Sequence, residues 1–505
     1  MRRGSLLAIL ALGVLVPSSG RAAEATIAVE GSAQYDTNVF STPTNLIDDV
    51  SFRPAVEVGL KADPSSDFQW SLMYRPDYQA YVSTHGINGF DHLAQANLDY
   101  HLSGATDVYL KEQFQHVLNL IDRTQFLASD PTGLGQPSLI FGRQAVTLND
   151  LQTGVTHNFS PRLQGVINLS NSLYYPQAKN VSDASTSGIT GDLIYALSPR
   201  DRIGPSLGFT YQQLSATDVQ PRTSTLYYQL MGIWIHDFSP TFQLDMRAGP
   251  AWVDPSTLNL NPQPQSVPPV PLVRLGTGNL SPFDARTCPT KGGNLLLTNE
   301  CKTLSPLTDA EQNALAGAPN VTINPIPGDT GGTNGGLTYF AAITLTKHWE
   351  RWDASLNYTR DSGTSSSFNQ STILDTVQGG LLWHPGELWN VSLNASWSRR
   401  TSASDQPVLV PVVEAAGVGN PFGIDPNAAV YSAFTTVKFS NAIDVDNYVA
   451  YIRVDRKLSR RLSTFGLFLY DQQKVNGGFV SGNDFTDYRV QFGVRYEFEP
   501  LPLAL

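Results

Sequence analysis

Cysteine is nearly absent from this 505-residue chain: Cys288 and Cys301 are the whole complement. Twelve residues lie between them, so one disulfide inside a single loop is their expected use in an exported chain. Charge is scarce as well. Asp, Glu, Lys and Arg make up 15% of the residues, and their balance is −11. No basic stripe is present to meet phosphates, which argues against a nucleic-acid partner. The eight histidines are dispersed, with no His–His or His–Cys spacing suited to a metal, so neither a metal nor a cofactor is expected. Long apolar runs are missing after the N-terminus. No later segment reaches the roughly 20 apolar residues that a membrane helix needs.

The N-terminus is different. Arg2 and Arg3 precede an apolar run, Leu6 to Val16, broken only by Gly13 and ended by Pro17, Ser18, Ser19 and Gly20. Ala23-Glu24-Ala25 fits a small-x-small cleavage site, and Gly20-Arg21-Ala22 is a second candidate. A charged start, a short apolar core and a small-residue exit describe a secretory signal peptide, assigned to 1–25, and the run is too short for a transmembrane anchor.

What the chain has in quantity is alternation. Val50, Phe52, Pro54, Val56, Val58 and Leu60 take every second position, with Ser51, Arg53, Ala55, Glu57 and Gly59 between them. After a Pro-Ser-Ser-Asp turn at 64–67, Phe68, Trp70, Leu72, Tyr74, Pro76 and Tyr78 alternate with Gln69, Ser71, Met73, Arg75 and Asp77. A strand places each set on its own face. The unit recurs, with further short turns near 103–106, 160–162, 198–200, 239–241, 350–351, 384–386 and 459–461. Between these lie longer polar segments, near 36–49, 83–90, 121–141, 176–187, 214–224, 254–335, 361–370, 400–443 and 473–484. Short turns alternating strictly with long loops predict an all-β transmembrane antiparallel β-barrel, with the turns periplasmic and the loops external. Eight hairpins and one strand at each end give about eighteen strands, with sixteen or twenty as alternatives. Ala433 to Phe439 is open between an extra strand and part of a loop. The barrel is assigned to 26–498 and a short periplasmic tail to 499–505, where Pro500 and Pro502 argue against continuing the strand.

Aromatics flank the short turns (Phe68, Trp70, Phe159, Phe238, Trp349, Trp383) and the far strand ends (Tyr78, Tyr175, Tyr211, Trp252, Trp397), as two interfacial girdles require. Glu112 fits badly, because alternation puts it on the lipid face; a bulge or a rim position would account for it.

The last strand carries Gln491, Gly493, Tyr496 and Phe498. This spacing resembles the C-terminal insertion signal of outer-membrane barrels. The resemblance implies the barrel-assembly machinery as a partner during insertion, with outer-membrane lipid as the surroundings. Tyr35-Asp36-Thr37-Asn38-Val39-Phe40, followed by Phe52-Arg53-Pro54 and by the repeated Ser-Pro-Arg turns, resembles a family of β-barrel porins associated with exopolysaccharide synthesis and export. That resemblance implies a porin-like channel, with secreted polysaccharide as one cargo and polysaccharide-export components as partners. The Asp36-x-Asn38 pair reads either as a calcium ligand set or as an Asx turn ending the first strand.

Catalysis finds little support. Gly204-Pro205-Ser206-Leu207-Gly208 matches a hydrolase nucleophile elbow in letters but lacks the strand–turn–helix context, so Ser206 is expected to be a small lumen-facing residue. The chemistry falls to the lumen. Alternation turns Arg53, Lys61, Arg75, Lys111, Arg247, Arg453, Arg489 and Arg495 inward, together with Glu57, Asp77, Asp99, Asp245, Asp455, Asp487 and Glu497. Mixed charge suits a water-filled passage, and pairing across neighbouring strands is the alternative use. The reading is a channel for polar solutes. An adhesive or structural barrel whose loops bind a partner is the competing one. The loop at 254–335, with the Cys288–Cys301 pair and a capping box at Thr308-Asp309-Ala310-Glu311, is expected either to narrow the pore or to lie free outside it.

Overall fold

The structure, a computed structural model, describes residues 22–44, 46–62, 67–118, 145–177, 182–215, 222–254, 336–365, 370–402, 444–476 and 484–504, together with the backbone of short strands inside 255–335 and 403–443. The expectations for Cys288, Cys301 and the helix after Thr308 fall outside these residues.

Eighteen long strands form the sheet. The first half runs β1 (Ala22–Asp36), β2 (Asp49–Ala62), β3 (Phe68–Tyr81), β4 (Gly89–Ser103), β5 (Thr106–Val117), β6 (Val146–Ser160), β7 (Leu163–Pro176), β8 (Ala184–Ala196) and β9 (Asp201–Leu214). The second half runs β10 (Thr223–Ser239), β11 (Phe242–Asp254), β12 (Gly336–His348), β13 (Trp352–Ser365), β14 (Gln370–Gly386), β15 (Trp389–Ser402), β16 (Asp444–Lys457), β17 (Leu462–Val475) and β18 (Phe485–Glu497). Each pairs antiparallel with its neighbours in sequence, and β18 returns to β1 in the register Ser32↔Gly493 and Gln34↔Gln491. The sheet is therefore a closed barrel with no edge among these strands, the arrangement that satisfies every ladder N–H and C=O internally.

Seven of the eight short turns lie among the described residues and stand where the sequence places them, and their repeated serine has a local cause. The Ser160 hydroxyl accepts from the N–H groups of Arg162 and Leu163 at 3.3 and 3.1 Å. Ser198 does the same for Arg200 and Asp201, and Ser459 for Arg461 and Leu462. A serine that leaves a strand and caps the turn replaces the ladder partners lost there.

Inside and outside are inverted relative to a soluble barrel. Phe52 is 55% exposed on the outer face and Phe492 67%, whereas Arg53 and Gln491 beside them are 1% and 5% exposed. Aromatic pairs gather at both strand ends of this outer face. Trp352 stacks on Trp383 at 5.0 Å and Phe238 on Phe242 at 4.7 Å near the short turns, and Tyr78 meets Phe90 at 4.7 Å near the loops.

Two expectations need correction, and one open alternative is resolved. The tail does extend: after a break at Phe498–Pro500, residues Leu501–Ala504 form β19 and pair antiparallel with Ala22–Ala25 of β1. Pro502 is tolerated because β19 is an edge strand with one partner, where a missing N–H is affordable. Glu112 lies neither in a bulge nor at a rim. It stands mid-strand in the unbroken register Ala96↔Glu112↔Leu151. Residues 429–438 do form a strand, but they pair with 407–415 in a separate two-stranded ladder. That ladder belongs to a second compact unit, built from 257–333 and 404–441.

Candidate functional site

The site is the inner wall of the barrel, and its character changes along the bore. In the half nearest the short turns the inward groups are wet. Lys61 and Glu24 pair at 3.1 Å with side chains about half exposed, and Asp99, Lys111 and Glu497 are exposed as well. Lys111 stands 5.9 Å from the Tyr109 ring centroid. Farther up, Arg453 binds Asp455 at 2.9 Å and lies over the Phe465 ring, while Arg247 spans Asp245 at 3.4 Å and Asp192 at 2.8 Å.

On the same wall, guanidinium groups bridge strands that are not neighbours. Arg495 of β18 holds Glu57 of β2 by two hydrogen bonds, 2.9 and 3.0 Å, and Glu497 by a third at 3.0 Å. Arg75 of β3 reaches Glu30 of β1 at 2.9 Å. Planar guanidinium forks suit such bidentate and bridging pairs.

Toward the long loops the wall is dry. Arg53, 1% exposed, donates to Asp91 at 2.8 Å, to Asp77 at 3.3 Å and to Gln34 at 3.4 Å. Arg489, also 1% exposed, binds Asp487 at 2.7 Å and faces Asp36 at 3.2 Å. Asp471 and Arg400 are buried at the same end of their strands. Beside these ion pairs sits an apolar cluster of inward residues. Leu93, Val117, Val146 and Leu148 come from β4–β6, and Tyr451, Leu467, Leu469 and Phe485 come from β16–β18; of the strands between, β1 and β2 contribute none and β3 contributes only the partly buried Met73 at the cluster's edge. All eight are at most 5% exposed. The cluster thus joins two sectors of the wall across the interior, so the bore is constricted there.

Alternation had named Arg53, Glu57, Arg75, Asp77, Lys111, Asp245, Arg247, Arg453, Asp455, Arg489 and Arg495, and all stand on the inner wall. Sequence reading missed Asp91, Glu30, Asp36 and Asp192, the partners that complete the ion pairs. Their inward positions in β4, β1 and β8 carried the same signal. It also missed the inward Leu and Val residues, because a water-filled bore was taken to be polar throughout. Ser206 lies in the unbroken strand β9, opposite Asp192, and is 1% exposed.

The motif at 35–40 closes the seam. Asp36 Oδ1 accepts the N–H of Asn38 at 2.9 Å, which is the Asx turn. Thr37 exchanges hydrogen bonds with Tyr488, its N–H donating to the carbonyl at 3.1 Å and its hydroxyl accepting from the N–H at 2.9 Å. Asn38 Nδ2 donates to the carbonyls of Thr42 and Thr486. Among the described residues no carboxylate grouping suits a metal ion. In the last strand, Gln491 donates to Ser32 at 2.8 Å. A Cβ on Gly493 would meet the Phe465 ring at 2.4 Å, so glycine is required there.

No protein-family model matches the chain, and none of the curated proteins is similar to it in sequence. Among solved structures, the chain is similar to the siderophore receptor PirA from Pseudomonas aeruginosa at 8% identity, with 93% of this chain and 80% of that one covered and a TM-score of 0.36. It is also similar to the outer membrane protein OpdK from Pseudomonas aeruginosa at 10% identity, with coverages of 94% and 99% and a TM-score of 0.35. Acinetobacter baumannii OccAB4 shares 11% identity, with coverages of 96% and 100% and a TM-score of 0.35. The barrel assignment rests on the strand pairing of this chain itself.

Proposed function

We propose that the chain is an outer-membrane channel that passes polar solutes through its barrel. The observation that carries this reading is the wall: apolar and aromatic outside, lined inside by ion pairs that are wet at one end and dry at the other. Barrels of 16–18 strands leave an aqueous interior unless something fills it, and here buried charge and an apolar cluster narrow the loop end. The short turns face the periplasm and the long loops face outward. The reading assigns no catalysis.

A secreted polysaccharide is the finer version of the cargo, suggested by the resemblance at 35–40. Those residues are occupied in holding β1 to β18, so the support for that version lies outside the bore. The barrel-assembly machinery is proposed as the partner that reads Gln491, Gly493, Tyr496 and Phe498.

The test is single-channel conductance in planar bilayers, comparing the native chain with a variant carrying Leu93→Ser and Leu469→Ser. The expected result is ion conduction that is small or intermittent in the native barrel and at least severalfold larger in the variant. Correctly assembled barrels that conduct in neither form would remove the channel reading in favour of an adhesive or structural role.

A further inference from the structure

Each of the eighteen strands pairs on both sides, but one junction is short. β12 and β13 share eight rows, from His348↔Asp353 near the turn to Ala341↔Arg360. The junctions on either side, β11–β12 and β13–β14, run for twelve and fourteen. Beyond Ala341↔Arg360 both strands continue, as 336–340 and 361–365, each paired to its other neighbour. Between them no ladder row follows among the described residues. A tilted strand needs about 9–11 residues to cross the hydrocarbon. Eight rows counted from the turn fall short of that, so the two strands part while still inside the outer half of the membrane. Backbone edges at such depth are tolerated where protein or an aqueous cavity covers them.

Apolar surface lies on both sides of this fork. Outside, a groove of about 680 Å³ runs over β7–β12, with Ile189, Leu207, Leu230, Trp252 and Leu337 in its lining. Leu337 is 73% exposed and lies on the part of β12 that has left β13. Inside, Phe340 is the first β12 residue beyond the last shared row, and it is buried. It clusters with Tyr227 and Ala251, and Met231 and Val253 pack against them. The Phe340 and Tyr227 rings stand 6.2 Å apart. Nearer the turns the same inner wall becomes polar: Arg247 of β11, level with Ala342, bonds Asp192 and Asp245. At the branch point, on the outer face, the Arg360 guanidinium of β13 lies 4.4 Å from the ring centroid of Tyr339 of β12. A side-chain contact thus joins the two strands where the ladder stops.

We propose that the β12–β13 fork is a side entrance to the bore, through which the apolar chain of an amphiphilic solute passes between the outer leaflet and the interior. This rests on the reading of the barrel as an outer-membrane channel with its long loops outward. It adds to the cargo a class of solute that joins a polar head to an apolar chain. A purely polar solute gains nothing from apolar surface at this height. An apolar chain leaving the groove passes through the fork onto Phe340 and Tyr227, so it stays out of water along the whole path. Its polar head meets the wetter wall at Arg247, whose side chain is about one-third exposed. Passage requires Phe340 to turn aside and Tyr339 to leave Arg360, and neither step breaks a ladder hydrogen bond. A ladder continued to the ends of both strands would close this path.

The test is cysteine accessibility in lipid vesicles, with Cys288→Ser and Cys301→Ser in the background. Ala251→Cys reports on the interior beside Phe340. Ala55→Cys, on the inner face of β2 where the ladder to β1 is unbroken, is the control. Both alanines are at most 5% exposed. N-Dodecylmaleimide is delivered in the lipid, and glutathione in the water on both sides removes any that escapes. Intact mass reads the labelling, and heat-modifiable gel mobility reads folding. The expected result is labelling of Ala251→Cys at least tenfold faster than of Ala55→Cys, and faster again when Phe340→Ala is added. Should Ala251→Cys impair folding, Thr338→Cys serves as the reporter. A folded barrel in which the lipid-borne reagent labels neither position, labels both alike or is indifferent to Phe340→Ala would overturn the proposal. A water-soluble methanethiosulfonate is applied in parallel to Lys111→Cys on the wet wall. Its failure to react in the folded barrel would instead overturn the channel reading beneath the proposal.

Discussion

Arg495 and Glu57 lie 438 positions apart in the chain and are joined by two hydrogen bonds of 2.9 and 3.0 Å that pass over β1. The pair straps the last strand to the second across the seam where the barrel closes. Both side chains are about a quarter exposed, so screening is incomplete. Arg495→Ala and Glu57→Ala should each destabilise the folded barrel, and a double-mutant cycle should give a coupling of about 1–3 kcal/mol. Urea unfolding from lipid vesicles measures it. A coupling near zero would mean that the backbone ladder alone holds the seam.

Arg53 should be costlier to remove. It is buried between Asp77 and Asp91, and Arg53→Ala leaves two carboxylates in a dry wall. Breaking a buried pair from one side costs about 3–5 kcal/mol, whereas removing both charges costs less. Arg53→Met with Asp91→Asn is therefore expected to be more stable than Arg53→Ala, as read by the same unfolding transition. The reverse order would show that the carboxylates are solvated.

The two faces make a sharper contrast. Leu393 is 39% exposed on the outer wall, and Ser392 beside it points inward. Leu393→Arg or Leu72→Arg should block insertion, because a mid-membrane arginine on the lipid face costs ~2–4 kcal/mol. Ser392→Arg and Gln69→Arg should assemble. Folded yield in the outer-membrane fraction reports this, and equal loss from both sets would mean that the faces are exchanged.

Strand number, turn placement and facing were legible because each depends on local spacing: apolar residues at every second position, and a serine or proline where the strand ends. The ion pairs were legible only as candidates. Arg53 could be turned inward from sequence, but its choice of Asp91, two strands away, depends on the register of β2, β3 and β4 together. The apolar cluster was hidden for another reason. In β17, Leu467 and Leu469 face inward while Phe468 faces outward, so both faces are apolar and alternation gives no sign of which is which. Glu112 had been read as an irregularity, and the unbroken register shows a regular mid-strand position instead.

In the insertion strand, Gly493 lies beneath the Phe465 ring, and Tyr496 packs edge-on against Phe498 at 5.0 Å. Gly493→Val should lower folded yield through collision with Phe465, and Phe465→Ala in the same chain should restore part of it. Tyr496→Ala with Phe498→Ala should impair assembly without any such rescue. Outer-membrane yield separates the two, and failure of the Phe465 rescue would show that the glycine is read by the assembly machinery instead of being required by packing.

The terminal pairing bears on where cleavage would fall if residues 1–25 serve as the signal peptide expected from the sequence. Ala22, Ala23, Glu24 and Ala25 pair with Ala504, Leu503, Pro502 and Leu501, and Ala23 is 2% exposed. Cleavage after Ala25 would remove all four partners and leave β19 with nothing to pair. Cleavage after Ala22 keeps three of them. The mature chain is therefore expected to begin at Ala23, and intact mass spectrometry of the purified barrel reads this directly. Deletion of 499–505 should then cost less than removal of Tyr496 and Phe498, because it loses one short edge ladder while the Phe498 side chain anchors the last barrel row. That row is closed by the Phe498 N–H donating to the Ile27 carbonyl at 2.9 Å. A mature chain beginning at Thr26 would make the tail deletion silent, since its partner strand would already be gone.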